Sequence, residues 1–298
     1  MTHTPSILLP LDGTEQAAKS VGCAAFLARG YGGALHISSA IPGGASAQKE
    51  LERLHVPAAY WPLVELHHIP RYSDQEILAA VERYRAGLLI LPAQPSAKAW
   101  PGPESGDSAL DHAVGQVAES VLERSTVPVL LIPPEYREAL PWQSVLVAVS
   151  GGRESEGALA FAIELAQTFE LGLNVVHVVD GGREGLAARM RYSDASHHEF
   201  PAQLDELLER RLLACCCPHR LEQLTLGHGE ASTELVKLVH IDRPSVLVAG
   251  WHGTLSPGRA VRLKKIVVSV QTPIALIKTV DLPRFRLKVG EDFEDSTR

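Results

Sequence analysis

Three groups of residues in this chain of 298 have the types and spacing to do chemistry. Gly250 and Gly253 stand close in sequence to Arg259, Arg262, Lys264 and Lys265, a local positive cluster suited to an anion. The same cluster also fits a solvated helix face, which is what most charge clusters are. Ser150, Gly151 and Gly152 follow the apolar run Val145–Val149, so they stand at the end of a strand and could hold a phosphate without catalysis. Cys215, Cys216, Cys217 and His219 suggest a metal, but adjacent helix positions point about 100° apart. Structural zinc favours cysteines spaced by two to four residues. The segment reads as a helix end stopped by Pro218 with one or two thiols buried, metal binding and thiol redox sensing being the alternatives. His67 and His68 alternate faces of a strand and cannot chelate together. No Ser-His-Asp or paired-carboxylate constellation is legible from spacing, so no catalytic residue and no metal ligand is assigned.

Composition bounds what these groups can serve. Lys plus Arg number 28 against 35 Asp plus Glu, a formal charge of −7 that excludes the basic footprint of a nucleic-acid binder or of a protein on an anionic membrane. No apolar run approaches the roughly 18 residues of a membrane-spanning helix. Met1–Pro10 lacks a basic n-region and does not read as a secretory leader. Four cysteines, three of them adjacent, make no disulfide framework, so the chain is read as cytoplasmic. Apolar residues at 45% suffice for real cores, and the length suggests two domains.

The elements that must position these groups are repeated. Ser6-Ile-Leu-Leu-Pro-Leu-Asp12-Gly13 recurs as Ser144-Val-Leu-Val-Ala-Val-Ser150-Gly151, an offset of 138 that persists through the following helix and strand. Helices are expected at about Glu15–Arg29 and Glu154–Phe169 from their apolar periodicity. Leu88–Leu91 matches Val246–Ala249 at an offset of 158, and Val127–Ile132 matches Thr272–Ile277 at 145. Helices around Ala109–Arg124 and Ala260–Val270 precede those last strands, and further strands are expected at Leu63–His67 and Gln223–Leu226. Short apolar strands alternating with helices argue for a parallel sheet covered on both faces.

Residues Ile7–Glu15, with Asp12-Gly13-Thr14, resemble the opening strand and D-G-S turn of the universal stress protein family. Gly115–Arg124 followed by Val127-Pro-Val-Leu130 resembles its closing helix and strand. The first half carries the signal. The second follows more loosely through its strands, Gly250-Trp-His-Gly253 and Thr272-Pro-Ile274. The resemblance implies an α/β chain of two tandem copies of a five-stranded parallel-sheet, adenine-nucleotide-hydrolase-like domain. The copies would be residues 1–134 and 143–280, with a linker at 135–142 and a charged tail at 281–298. The halves would pack about a pseudo-twofold axis, with Val127–Ile132 and Thr272–Ile277 meeting antiparallel. The resemblance also implies a motif for ATP or AMP: an Asp after the first strand, then G-x-x-G, nine residues and G-[ST]. Asp12 would take the adenine amino group, while glycine N–H groups and a helix N-terminus beginning at Gly115 would take the phosphates.

Neither half carries that motif whole. Pro92 and Pro95 stand where the first half needs its two glycines, and proline has no N–H to offer a phosphate. Glu104 and Asp107 in the next loop would repel a triphosphate. The second half keeps Gly250 and Gly253 but has Ser150 for the Asp; for G-[ST] it has Leu263-Lys264 nine residues on, or Ala260-Val261 when aligned by the last strand. Ser150-Gly-Gly-Arg-Glu-Ser155 is also similar to the S-G-G-x-D-S loop of PP-loop ATP pyrophosphatases, which would imply adenylation with release of pyrophosphate. Glu154 replaces the usual Asp, and no second motif for an adenylated substrate accompanies it. The expectation is a non-catalytic stress-response sensor or regulator. It would bind an adenine nucleotide or another anion in its second half through Ser150, Gly151, Gly152, Gly250, Gly253 and Arg259, with a regulatory protein or a second copy as partner. A ligand-free scaffold is the alternative.

Overall fold

The computed structural model describes residues 5–14, 19–40, 47–54, 56–93, 114–137, 140–150, 153–179, 221–255 and 260–278. The first half contains β1 (Ser6–Leu11), α1 (Ser20–Tyr31), β2 (Leu35–Ser39), α2 (Ala47–Arg53), a 3₁₀ turn (Ala58–Leu63), β3 (Val64–His68), α3 (Asp74–Arg83), β4 (Ala86–Pro92), α4 (Gln116–Arg124) and β5 (Val129–Ile132). The second contains β6 (Ser144–Val149), α5 (Arg153–Phe169), β7 (Gly172–Val179), β8 (Leu221–His228), α6 (Ala231–Asp242), β9 (Val246–Trp251), α7 (Val261–Ser269) and β10 (Ile274–Lys278). The expected tail, the insertion with His197 and His198, and Cys215–Cys217 lie outside the described residues.

All strands join one sheet in the order β3-β2-β1-β4-β5-β10-β9-β6-β7-β8. Every pairing is parallel except β5 with β10, where Leu131, Leu130 and Val129 face Ile274, Ala275 and Leu276. The order reads the same from either edge, as expected for two copies joined at their last strands. Each of those strands would otherwise present an apolar edge of unpaired N–H and C=O groups.

Alternation along the strands sorts the core into two layers. Ile7, Leu9 and Leu11 with Val145, Val147 and Val149 pack under α1 and α5 on one face. Leu8, Leu89 and Leu91 with Leu146, Leu247 and Ala249 pack under α3, α4, α6 and α7 on the other. Helix ends follow local chemistry. Ser73 caps α3 by accepting from the Glu76 N–H, and Gly32 ends α1 in the left-handed region at φ 67°. Asp74 at the start of α3 accepts from Ser120 and Arg124 of α4, and the Ser120 bond above all holds its carboxyl below the usual range.

Two residues of the stretch expected as a linker are buried. Trp142 is 3% exposed and donates its indole N–H to the buried Tyr136 hydroxyl. Its ring meets Phe26 of α1 at 5.6 Å, and Phe26 and Tyr31 meet Phe169 of α5 at 4.9 and 5.2 Å. An aromatic seam thus joins the two first helices across the halves. Its reason is geometric: the antiparallel junction brings α1 and α5 side by side on one face. Trp142→Ala should cost about 3–5 kcal/mol of stability. A single shifted transition in urea is expected, because both halves share that core, and two separated transitions would refute the shared unit.

Beside this seam, burial pushes the Glu164 carboxyl up to about 8 from its ordinary 4.5. The buried Tyr31 hydroxyl is raised as well, by burial first and by Glu164 second. A raised folded-state value means that the folded chain keeps a proton the unfolded chain has released. The associated stability is complete below about pH 4.5 and is lost as pH rises toward 8. The urea midpoint of Glu164→Gln should therefore gain on the wild type between those pH values. A difference that stays flat with pH would contradict this.

Candidate functional site

Strand order reverses between β1 and β4 in the first half and between β6 and β9 in the second. Ligands of open parallel sheets bind at the carboxyl ends of the strands flanking such a point. Those ends hold Asp12 with Pro92 in the first half and Ser150 with Gly250 in the second. Equivalent strand ends therefore face both switch points. Gly151, Gly152 and Arg259 lie outside the described residues, as do Pro95, Glu104 and Asp107.

In the first crevice the Asp12 carboxylate accepts from the Thr14 N–H at 2.9 Å and from the Thr14 hydroxyl at 2.8 Å. Tyr72 is close enough that its hydroxyl, raised mainly by burial, is raised further by Asp12. Pro92 is the last residue of β4 and pairs with Ile132. The next N–H, from Ala93, donates to the Ile132 carbonyl at 2.8 Å. Backbone donors at the start of this loop are thus missing or spent. Gly115 at the head of α4 takes φ 91°, a conformation glycine adopts without strain.

In the second crevice the Ser150 N–H donates to Ser155 Oγ at 2.6 Å, and the two hydroxyls meet at 2.7 Å. Ser155, the last residue of the PP-loop-like stretch, is buried in the first turn of α5. The donor side of Ser150 is therefore engaged within the chain, which removes one support for the PP-loop reading. Gly250 pairs with Ile277 of β10. Gly253 sits at φ 81°, and a Cβ there would fall 2.2 Å from Lys278 Cε. The positive φ is what favours glycine there, since the Lys278 side chain could shift aside.

The loop after β9 meets the first half. The Leu255 N–H donates to the Glu123 carboxylate, and the Lys278 ammonium donates to the Glu123 carbonyl. A carboxylate from α4 therefore sits on the loop expected to hold phosphate. Nothing local to either segment announces this contact. It follows from the antiparallel seam, which sets the amino end of one half's strands beside the carboxyl end of the other's.

The expected positive cluster is partly neutralised. Lys265 reaches Glu230 at 3.3 Å, and Lys264 is buried. Hydroxyl bonds from Thr233 and Ser232, then Lys265, hold Glu230 down at about 2. A groove of about 540 Å³, lined by Tyr136, Trp142 and Arg243 among others, lies at the amino ends of β9 and β10, away from the crevice. No helix among the described residues is long and apolar enough to cross a membrane.

Residues 141–270 match the model of the universal stress protein family. The match falls on the half that keeps Gly250 and Gly253, whereas the sequence resemblance was read mainly from the first. No curated protein matches the chain. A universal stress protein from Archaeoglobus fulgidus is 14% identical with a TM-score of 0.60, over 93% of this chain and 97% of its own. A putative universal stress protein from Pseudomonas aeruginosa is 15% identical with a TM-score of 0.62, over 93% and 94%. A functionally unknown protein from a second strain of that organism gives 15%, 0.62 and 93% of both chains. These likenesses span both halves and show the fold.

Ala260 heads α7 where Gly115 heads α4, and it takes the left-handed φ of 52°. Such a conformation costs an alanine about 1–2 kcal/mol. Ala260→Gly should raise the urea midpoint by an amount equivalent to about 1 kcal/mol. An unchanged or lowered midpoint would show that the turn carries no strain.

Proposed function

We propose that this chain, which belongs to the universal stress protein family through residues 141–270, acts as a non-catalytic regulatory module of the cytoplasm that binds an adenine nucleotide or another anion in its second-half crevice. One observation carries this reading. The Leu255 N–H donates to the Glu123 carboxylate, and Lys278 is anchored on the same residue. The loop after β9 thus presents a donor to an anion, and the anion it meets is its own. Phosphate oxygens of ATP or AMP would compete with Glu123 for that donor, flanked by Gly250 and Gly253. Ser150 borders this crevice, while Asp12 and Gly115 border the first-half crevice, where Asp12 would be the adenine contact if a nucleotide entered there.

A ligand-free scaffold is favoured by a separate set of facts: Pro92 offers no N–H, Ala93 is spent on Ile132, and Ser150 is spent on Ser155. Under that reading both crevices are closed by the chain itself, and function rests on a regulatory protein or a second copy of the chain.

Calorimetry with ATP, AMP and inorganic phosphate separates the two. Glu123→Ala removes both the internal competitor and a like charge, so it should tighten ATP on the order of tenfold or more, as expected when a closed site is opened. Pyrophosphate release from ATP with magnesium should stay at background. No heat and no thermal shift in either wild type or variant would discard the nucleotide reading and leave the scaffold.

A further inference from the structure

We propose that His36, Glu65 and His67 form a site for a divalent transition ion, zinc in the first place, on the outer two strands of the first half. β2 and β3 run parallel with His36 opposite Glu65 and Ser38 opposite His67. Residues two apart share a face, so all four stand on the same side of the sheet. This is the face on which Leu8, the neighbour of His36 on β1, meets the second core layer.

Three donor atoms converge there. His36 Nδ1 lies 3.0 Å from His67 Nε2 and 3.3 Å from Glu65 Oε2, and His67 Nε2 lies 3.8 Å from the same oxygen. Ligands held at about 2.0–2.1 Å from a tetrahedral zinc stand about 3.3 Å from one another. The three atoms therefore mark three corners of such a site. Two imidazoles and one carboxylate suit zinc and its first-row neighbours, whereas magnesium and calcium take oxygen sets.

The surroundings hold the donors in place. Tyr84, just beyond α3, stacks on both rings at 4.8 and 4.0 Å with an interplanar angle of 18°. The imidazole side chains are 9% and 20% exposed and the Glu65 side chain 58%, so the carboxylate is the solvent-facing member of the cluster. A separate observation points the same way. The Ser38 hydroxyl is fully buried without a hydrogen-bond partner, on the face and at the register of His67. A buried hydroxyl left unbonded is costly, and a metal-bound water would satisfy it. Arg83 acts on His67 with positive charge, and Glu65 supplies the negative charge that offsets it. The pattern escapes a reading of single strands, because it joins a Glu-x-His pair on β3 to one histidine across a strand boundary.

The site is independent of the nucleotide reading and is tested on the full chain, stripped of metal and carrying Cys215→Ser, Cys216→Ser and Cys217→Ser to remove competing thiolates. Zinc calorimetry should give one ion per chain and a rise in melting temperature. Cobalt should give tetrahedral visible bands, and magnesium should give no uptake. His67→Phe keeps a ring on Tyr84, and Glu65→Gln changes only an exposed carboxylate. Each should weaken zinc on the order of tenfold or more and erase the cobalt bands. Should His67→Phe fail to fold, Glu65→Gln alone decides. Absence of saturable zinc uptake, or uptake unchanged in Glu65→Gln, would leave a histidine pair joined by an ordinary hydrogen bond and overturn the proposal.

Discussion

The pairing of β5 with β10 is the constraint from which most of this molecule follows. Each is the last strand of its half, short and apolar, and each would expose a row of unsatisfied backbone groups if left at an edge. Joining them removes both edges at once and turns two five-stranded sheets into one. Because the junction is antiparallel, the carboxyl ends of one half's strands lie beside the amino ends of the other's. That inversion places the end of α4 against the loop after β9. It also sets α1 beside α5, so Phe26, Tyr31, Trp142 and Phe169 close one seam. The same strand pairing thus governs both the shared core and the crevice.

Two copies held in this way have diverged where a ligand would bind and not where the sheet is built. The strands keep alternating aliphatic residues in both halves. At the crevices the copies differ position by position: Asp12 against Ser150, Pro92 against Gly250, Gly115 against Ala260. The backbone is more conservative than the side chains. Gly115 and Ala260 both enter their helices at positive φ, although only glycine does so without strain. In the second half the described backbone donors turn inward, Ser150 to Ser155 within the half and Leu255 to Glu123 across it.

Short apolar strands alternating with helices, and the repeat at offsets of 138, 158 and 145, make the sheet and its two halves legible in the sequence, because these depend on patterns within single elements; the β5–β10 junction is implied only by the family resemblance. Helix α5 runs from Arg153 to Phe169, against an expected Glu154–Phe169. The crossover helix α2 and the 3₁₀ turn before β3 escape that reading, since Ala47–Leu63 mixes charge, proline and aromatics without a clean period. Of the site, the positions of Asp12, Ser150 and Gly250 at strand ends are legible. The partners are not. Glu123 and Lys278 belong to different halves from one another, and His36 meets His67 only through the register of two strands. The burial of Tyr136 within Pro133–Pro141, and of Trp142 just after it, is likewise not announced by that polar, proline-bearing stretch.

The junction that removes two edges leaves two others, β3 and β8. An edge strand invites pairing with another sheet unless it is short, charged or covered. β3 is five residues long and places Glu65 and His68 in solvent, which opposes a second strand on that side. Its hold on the sheet is correspondingly slight, for its residues are mostly half-buried, while every residue of β2 is buried. The contacts between His36, Glu65, His67 and Tyr84 therefore lie where the sheet has little hydrophobic support. Polar side chains that interlock across β2 and β3 fasten the outermost strand by means that do not make its free edge adhesive. Burying more apolar surface there would fasten it equally well but would recreate the liability that the β5–β10 junction removes.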